Sequence, residues 1–207
     1  MVGLIGTKVG MTQVFDEIGV LTPVTVIKVE DNTVVAKRNM DSNGYEAVLL
    51  GSVDMKPGRV KKPYGGQFKE KIAPKKHLFE LKGFGRDVDV GDTLSLDLLQ
   101  DTRFVDIIGR SKGKGYQGVI KRHGFAGGRK THGSKFHRAP GSTGMAATPS
   151  RVIKGTKMPG RMGGDRKTIQ NLRVVGIDTE KKVILVEGSI PGTRNSVVIV
   201  KTAKKKG

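Results

Sequence analysis

The residues of this chain best suited to chemistry lie between positions 109 and 167. Gly113-Lys-Gly-Tyr-Gln-Gly118 fits the G-x-G-x-x-G spacing, in which glycines let backbone amides approach a pyrophosphate ahead of a helix N-terminus. A dinucleotide site also needs an acid about 20 residues further on to hold the ribose. No Asp or Glu stands between Asp106 and Asp165. The cradle of nucleotide hydrolases fails too: Gly109 precedes Gly113 and Lys114 follows it, but no Ser or Thr comes next. A kinase-type loop is unsupported by any downstream H-R-D or D-F-G. What remains is not catalytic. Glycines permit close approach of backbone to phosphate, and Lys112 and Lys114 stand beside them.

Charge gives that reading its partner. Positions 109–167 hold 15 of the 38 Lys and Arg residues, against the single acid Asp165, and 14 of the 30 glycines. Residues 1–108 are neutral and 168–207 carry +5, so most of the net +19 sits in one stretch. Few large apolar residues lie there, so its burial is too small to repay its ordering entropy. Its self-repulsion calls for a polyanion, and the pattern is that of a nucleic-acid ligand. The candidate RNA-binding residues are Lys112, Lys114, Lys121, Arg122, Arg129, Lys130, His132, Lys135, His137, Arg138, Arg151, Lys154, Lys157, Arg161, Arg166 and Lys167.

Other constellations fall to plainer readings. His123, His132 and His137 could offer nitrogen to a metal, but there is no cysteine and only one local acid. They read as polar or stacking contacts with RNA. Asp87-Val-Asp-Val-Gly-Asp92 resembles the start of a calcium loop, yet its glycine comes one place early and its twelfth position is Leu98. It reads as a turn. No Ser, His and Asp fall in a nucleophile motif, and no cofactor, metal or small-molecule substrate is expected. At the centre of the basic stretch lies Ala139–Pro149, small and uncharged. Within it Gly141, Ser142, Thr143, Gly144, Met145, Ala146 and Ala147 read as a tip shaped to enter a crowded RNA interior, with the basic arms supplying affinity. The plain alternative is a flexible linker.

The elements that position this stretch are strands. Leu21–Glu30 alternates and turns at Asp31-Asn32 into Thr33–Arg38, a hairpin signal. Asn43-Gly44 marks a turn before Tyr45–Val53; 55–66 reads as a loop and Gln67–Ile72 as a short helix stopped by Pro74. Leu78–Phe84, Thr93–Leu99 and Phe104–Ile108 read as strands, and the pattern resumes with Leu172–Ile177, Val183–Gly188 and Val197–Lys201. Short strands without long helices between them predict a mainly β fold, a closed or nearly closed antiparallel barrel. The expected organisation is a discontinuous barrel domain, 1–108 with 168–207, interrupted by a basic, largely irregular extension, 109–167. The tail from Lys201 to Gly207 is short and basic, and is expected to be loose.

Several blocks in one order also carry a family likeness. Leu4-Ile-Gly-Thr-Lys-Val-Gly-Met-Thr12, the stretch from Leu99 to Arg122 with Asp106 and Ser111-Lys-Gly-Lys-Gly115, Thr131-His-Gly-Ser134, His137-Arg-Ala-Pro-Gly-Ser142, Thr148-Pro149, Lys154-Gly155, Met158–Gly163, Asn171-Leu172 and Pro191-Gly192 resemble the family of the universal third protein of the large ribosomal subunit. The length is similar to the bacterial form. The resemblance implies a six-stranded barrel of the kind found in translation-factor domains, with an extension reaching toward the peptidyl transferase centre. It also implies early assembly near the 3′ end of the large-subunit rRNA, with the fourteenth and nineteenth proteins of that subunit as neighbours. Some bacterial relatives carry a methylated glutamine just before the Thr-Pro pair; here that place is Ala147.

The leading expectation is thus a structural rRNA-binding protein in the cytoplasmic ribosome, not an enzyme. A free nucleic-acid chaperone or nucleoid-type protein is the alternative that shares the charge. The opening residues lack a charged start followed by a long apolar run, so no secretory signal is expected. The longest aliphatic run, Val197–Val200, is far short of a membrane span.

Overall fold

The computed structural model describes residues 2–68 and 72–206. Its strands are, in order, β1 Gly3–Phe15, β2 Leu21–Lys28, β3 Asn32–Arg38, β4 Ala47–Asp54, β5 Lys75–Lys82, β6 Thr93–Leu94, β7 Phe104–Arg110, β8 Tyr116–Gln117, β9 Gly160–Arg161, β10 Arg166–Asp178, β11 Val183–Glu187 and β12 Val197–Thr202. Three short helices, α1 Met40–Asn43, α2 Lys62–Gly65 and α3 Val119–His123, lie between them. The chain divides into two compact units, residues 1–110 with 166–207, and residues 111–165.

The first unit holds a closed antiparallel barrel of six strands in the order β1-β12-β7-β10-β11-β2. Alternation explains its core: Ile184 and Val186 of β11, and Val198 and Val200 of β12, turn inward to meet Leu4, Ile27, Val105 and Ile107. Each such side chain contributes about 1.5–3 kcal/mol on leaving water. Closure removes the edges of these apolar strands wherever they pair around the barrel. A second, four-stranded sheet runs β5-β4-β3-β6, and its Val34, Val48, Leu50, Leu81 and Leu94 join the same core.

Several sequence expectations are corrected here. β2 and β3 do not form a hairpin: β2 pairs with β1 and β11, whereas β3 pairs with β4 and β6. Asn32 marks the crossing between sheets. It is fully buried, its Oδ1 accepts from the Ile5 amide at 2.9 Å, and its Nδ2 donates to Ile5 O at 3.1 Å and Glu30 O at 2.8 Å. A side-chain amide thus stands in for a strand partner where β3 leaves the barrel. The 13-residue β1 was not legible, because Gly3, Gly6, Gly10 and Lys8 interrupt its apolar rhythm. Gly6 is required by packing: a Cβ there would lie 2.9 Å from Ile27 Cγ2 and 3.0 Å from Lys28 O.

Thr93–Leu99 is a strand only at β6. Leu96–Leu99 forms a 3₁₀ turn that buries both Leu96 and Leu99, one turn apart. Residues 55–66 are not all loop, since Pro57–Arg59 makes a further 3₁₀ turn and α2 follows. Of the helix expected at Gln67–Ile72, residues 67 and 68 are turn and bend, and 69–71 lie outside the described residues. The tail is tied down rather than loose through residue 206. Ala203 is buried and its amide donates to Phe104 O at 3.1 Å, the Lys204 amide donates to Asp106 Oδ2 at 3.3 Å, and the Lys206 ammonium lies 4.9 Å from the Phe104 ring centroid.

Candidate nucleic-acid interface

Residues 111–165 form a long loop whose two arms are laced by their own backbone. The Ser111 amide donates to Asp165 O at 2.8 Å, Gly164 N to Ser111 O at 3.1 Å, Lys114 N to Met162 O and Met162 N to Gly115 O, each at 2.9 Å. β8 and β9 continue the pairing, Tyr116 opposite Arg161 and Gln117 opposite Gly160. The arms run so close that a Cβ on Gly163 would collide with Lys112 O, and Gly163 has φ +73. Some of the glycines are therefore spent on self-approach. Those of the G-x-G-x-x-G stretch are not: at Gly113, Gly115 and Gly118 an added Cβ would meet nothing within 4 Å. Backbone there is open to a ligand.

Past the sheet, α3 turns the chain and Arg122 and His123 pin it to the opposite arm. Arg122 Nη1 donates to Met158 O at 2.8 Å, and His123 Nε2 lies 2.9 Å from the same carbonyl. Further out, His137 Nδ1 is 2.9 Å from Arg129 O, and Gly128 N donates to His137 O at 3.2 Å. Two of the three histidines therefore brace the loop through backbone carbonyls. His132 is exposed with φ 57. Among the described residues no group of three or more His, Cys, Asp or Glu is placed to hold a metal.

All twelve Lys and Arg of residues 111–165 are exposed: Lys112, Lys114, Lys121, Arg122, Arg129, Lys130, Lys135, Arg138, Arg151, Lys154, Lys157 and Arg161. Among the described residues none of them is ion-paired with a carboxylate. Val119 is the one fully buried side chain in this unit. A loop of this kind holds like charges apart on a backbone frame and leaves their neutralisation to a partner. Tip residues 141–147 are all exposed, with the Ser142 hydroxyl donating to Gly144 O at 2.7 Å. A shallow concavity lies among residues 141–146 and 150–152.

Two candidates belong to the other unit. Arg166 and Lys167 open β10, paired with Arg110 and Gly109 of β7. The Arg166 guanidinium is 5.9 Å from the Phe79 ring centroid, and Lys201 Nζ is 5.7 Å from it. Burial, then the Arg166 charge, hold the Lys201 ammonium below the usual lysine range, against the pull of Asp106. Sequence reasoning passed over the aromatics interleaved with the cations. Tyr116 is 74% and Phe136 45% exposed, and both offer ring faces for stacking. Their positions between Lys114 and Lys121, and between Lys135 and His137, were the available signal.

At the turn Asp87–Asp92, Lys37 Nζ bridges Asp87 at 3.2 Å and Asp89 at 3.0 Å. The Asp89 amide donates to Asp92 Oδ2 at 2.6 Å, so these carboxylates serve the turn itself.

Residues 84–183, which span β6, β7, the whole basic loop and β10, match the family model described as ribosomal protein L3. Over its full length the chain is 56% identical to the large ribosomal subunit protein uL3 of Borrelia hermsii, which it also covers completely. The chain belongs to the ribosomal protein L3 family. It is 52% identical to uL3 of Borreliella burgdorferi, across 99% of this chain and 100% of that protein. Identity to uL3 of Treponema pallidum is likewise 52%, across 100% of this chain and 99% of that protein. Full coverage at both ends means that the L3-type barrel strands and the basic loop align together, not one without the other.

Proposed function

We propose that this L3-family chain is a non-catalytic, structural rRNA-binding protein of the large ribosomal subunit, at work in the cytoplasmic ribosome. The observation that carries the reading is the loop of residues 111–165, where twelve exposed cations and one acid are held on a backbone-laced frame, the cations without a carboxylate partner among the described residues. Phosphate supplies the missing counter-charge, and each contact releases condensed counterions. Gly113, Gly115 and Gly118 let phosphates approach the backbone, and Tyr116 and Phe136 offer stacking faces.

The finer reading divides the labour. The barrel seats on the subunit surface, and the loop is the extension that threads inward toward the peptidyl transferase centre. Residues 141–147 form its tip, small and uncharged so that they fit between packed RNA segments. The protein joins early in assembly near the 3′ end of the large-subunit rRNA, beside the fourteenth and nineteenth proteins of that subunit. The test is co-sedimentation with large subunits through a high-salt wash. A surface-bound chaperone is stripped as salt weakens its phosphate contacts; an extension enclosed by rRNA stays. Release at moderate salt would overturn the reading.

A further inference from the structure

Among the described residues, half of the exposed large apolar side chains lie on one ribbon. Val9, Met11, Phe15, Ile18, Val20 and Leu21 belong to β1, β2 and the turn joining them. β12 pairs with β1 only over Gly3–Thr7, and β11 pairs with β2 only over Val24–Lys28. Beyond those limits the two strands continue as a two-stranded ribbon, in register from Gly10 opposite Val26 to Phe15 opposite Leu21. Directly opposed residues share a face. Met11, Phe15, Leu21 and Pro23 therefore lie on one side, with the polar Gln13 between Met11 and Phe15.

The ribbon is built to hold that face in place. Asp16 Oδ1 accepts from the Ile18 amide at 3.1 Å and the Val20 amide at 2.7 Å, and the Asp16 amide donates to Val20 O at 3.1 Å. Ile18, at the apex, is 89% exposed. Among the described residues no strand pairs with the outer edge of Gly10–Phe15. That edge carries no Pro, Lys or Arg, the usual means of discouraging a further strand.

Charge identifies the occupant. In a chain of net +19, residues 9–27 contain no Lys, Arg or His and two acids, Asp16 and Glu17. Arg194 is the cation whose guanidinium lies 3.5 Å from a Cβ built on Gly10. By alternation this is the face opposite Met11 and Phe15. A surface that is apolar, acid-tipped and without cations cannot neutralise phosphate. Apolar area bordered by carboxylates instead fits protein, where burial gives affinity and complementary charge gives register.

We infer that the β1–β2 ribbon is a protein-docking element, occupied by another protein that presents an apolar strand or surface bordered by Lys and Arg. The open edge of Gly10–Phe15 accepts that partner's backbone by strand addition, and Phe15 and Leu21 are its apolar anchors. The inference rests on the proposed place of the chain in the large subunit.

The test uses full-length chain assembled into large subunits and washed in high salt. Ile18 is replaced by the photoreactive p-benzoylphenylalanine, a change that its exposure makes harmless to the fold. Irradiation is expected to join this position to a protein of the subunit, through a peptide bearing Lys or Arg next to apolar residues. In the variant Phe15→Ser/Leu21→Ser that same protein binds about tenfold or more weakly, and the chain itself stays in the subunit. A cross-link to rRNA or to a second copy of this chain overturns the inference. So does the lack of any cross-link in subunits that hold the chain, or unchanged binding of the joined protein in the double variant. Loss of the double variant from subunits would assign the ribbon to RNA binding and overturn it as well. Absence of the unmodified chain from washed subunits is a different result, and sinks the functional reading beneath.

Discussion

Asn32 shows how much one side chain can decide. A turn dipeptide such as Asp31-Asn32 ordinarily joins paired strands, but here the Asn32 amide is buried and bonds both backbone groups of Ile5. It completes the hydrogen bonding of β1 in place of the β3 backbone, so the next strand is free to start a second sheet. Replacing Asn32 with Ala takes this partner from the Ile5 amide, the Ile5 carbonyl and the half-buried Glu30 carbonyl, and leaves the two Ile5 groups unpaired in the interior at about 1–3 kcal/mol each. We predict a loss of roughly 2–4 kcal/mol in urea unfolding of Asn32→Ala. A loss within about 0.5 kcal/mol, the size of an ordinary surface change, would mean that water takes over both bonds. Asp106 plays a related part: its carboxylate accepts from the Asn171 amide at 2.8 Å and from Lys204 N at 3.3 Å. Asn171 has φ 57 and sits where β10 slips register against β7. A carboxylate thus steadies both a strand irregularity and the C-terminal tail.

At the scale of elements, under the proposed function, the basic loop separates affinity, in its arms, from fit, at its tip. Free protein binding rRNA fragments should lose affinity linearly in log salt, by about 0.7–0.9 per phosphate neutralised. Lys112, Lys114, Lys135 and Arg138 are exposed and make no ion pair among the described residues. Changing all four to Ala should flatten the slope by about 3; an unchanged slope would make them bystanders. Arg122 is left out of this set because its guanidinium also holds the Met158 carbonyl. The tip should behave differently. With the tip at the peptidyl transferase centre, as proposed above, bulky replacements at Ser142, Thr143 or Met145 are expected to leave assembly nearly intact while peptide-bond formation, or inhibition by drugs bound at the peptidyl transferase centre, shifts. Tip variants that abolish rRNA binding as the arm variants do would refute this division. The charge of the loop could be read from composition, as could those strands whose β-branched residues alternate. What could not be read was pairing. Alternation says which face of a strand is buried but not which strand lies beside it, so the sequence alone pairs β2 with β3. Nor does residue type show that His123 and His137 face carbonyls of their own loop, since backbone partners leave no trace in side-chain pattern.

At the scale of the whole molecule, fold and charge are carried by different parts of the chain. Every residue of the main buried cluster, from Leu4 to Val200, lies outside 111–165. The twelve exposed cations discussed above lie inside it. Arg110 and Arg166, which flank the loop, are ladder partners at the ends of β7 and β10. A tight Asn-Gly turn can therefore join them as it joins any hairpin. Deleting Ser111–Asp165 in this way removes twelve Lys and Arg and one acid, leaving +8 of the original +19. The shorter loop also costs less closure entropy, by about 0.6 kcal/mol per halving of length. We predict that the deleted chain folds as a barrel, with the β-type circular dichroism and cooperative melting of the full chain. Its rRNA affinity should fall, its salt dependence should be shallow, and it should be washed from large subunits by salt that leaves the full chain in place. An unfolded product would show that the loop contributes to the barrel's stability. Tight binding by the folded deletion would move the principal RNA contact to the barrel, where Arg166, Lys167 and Lys201 remain.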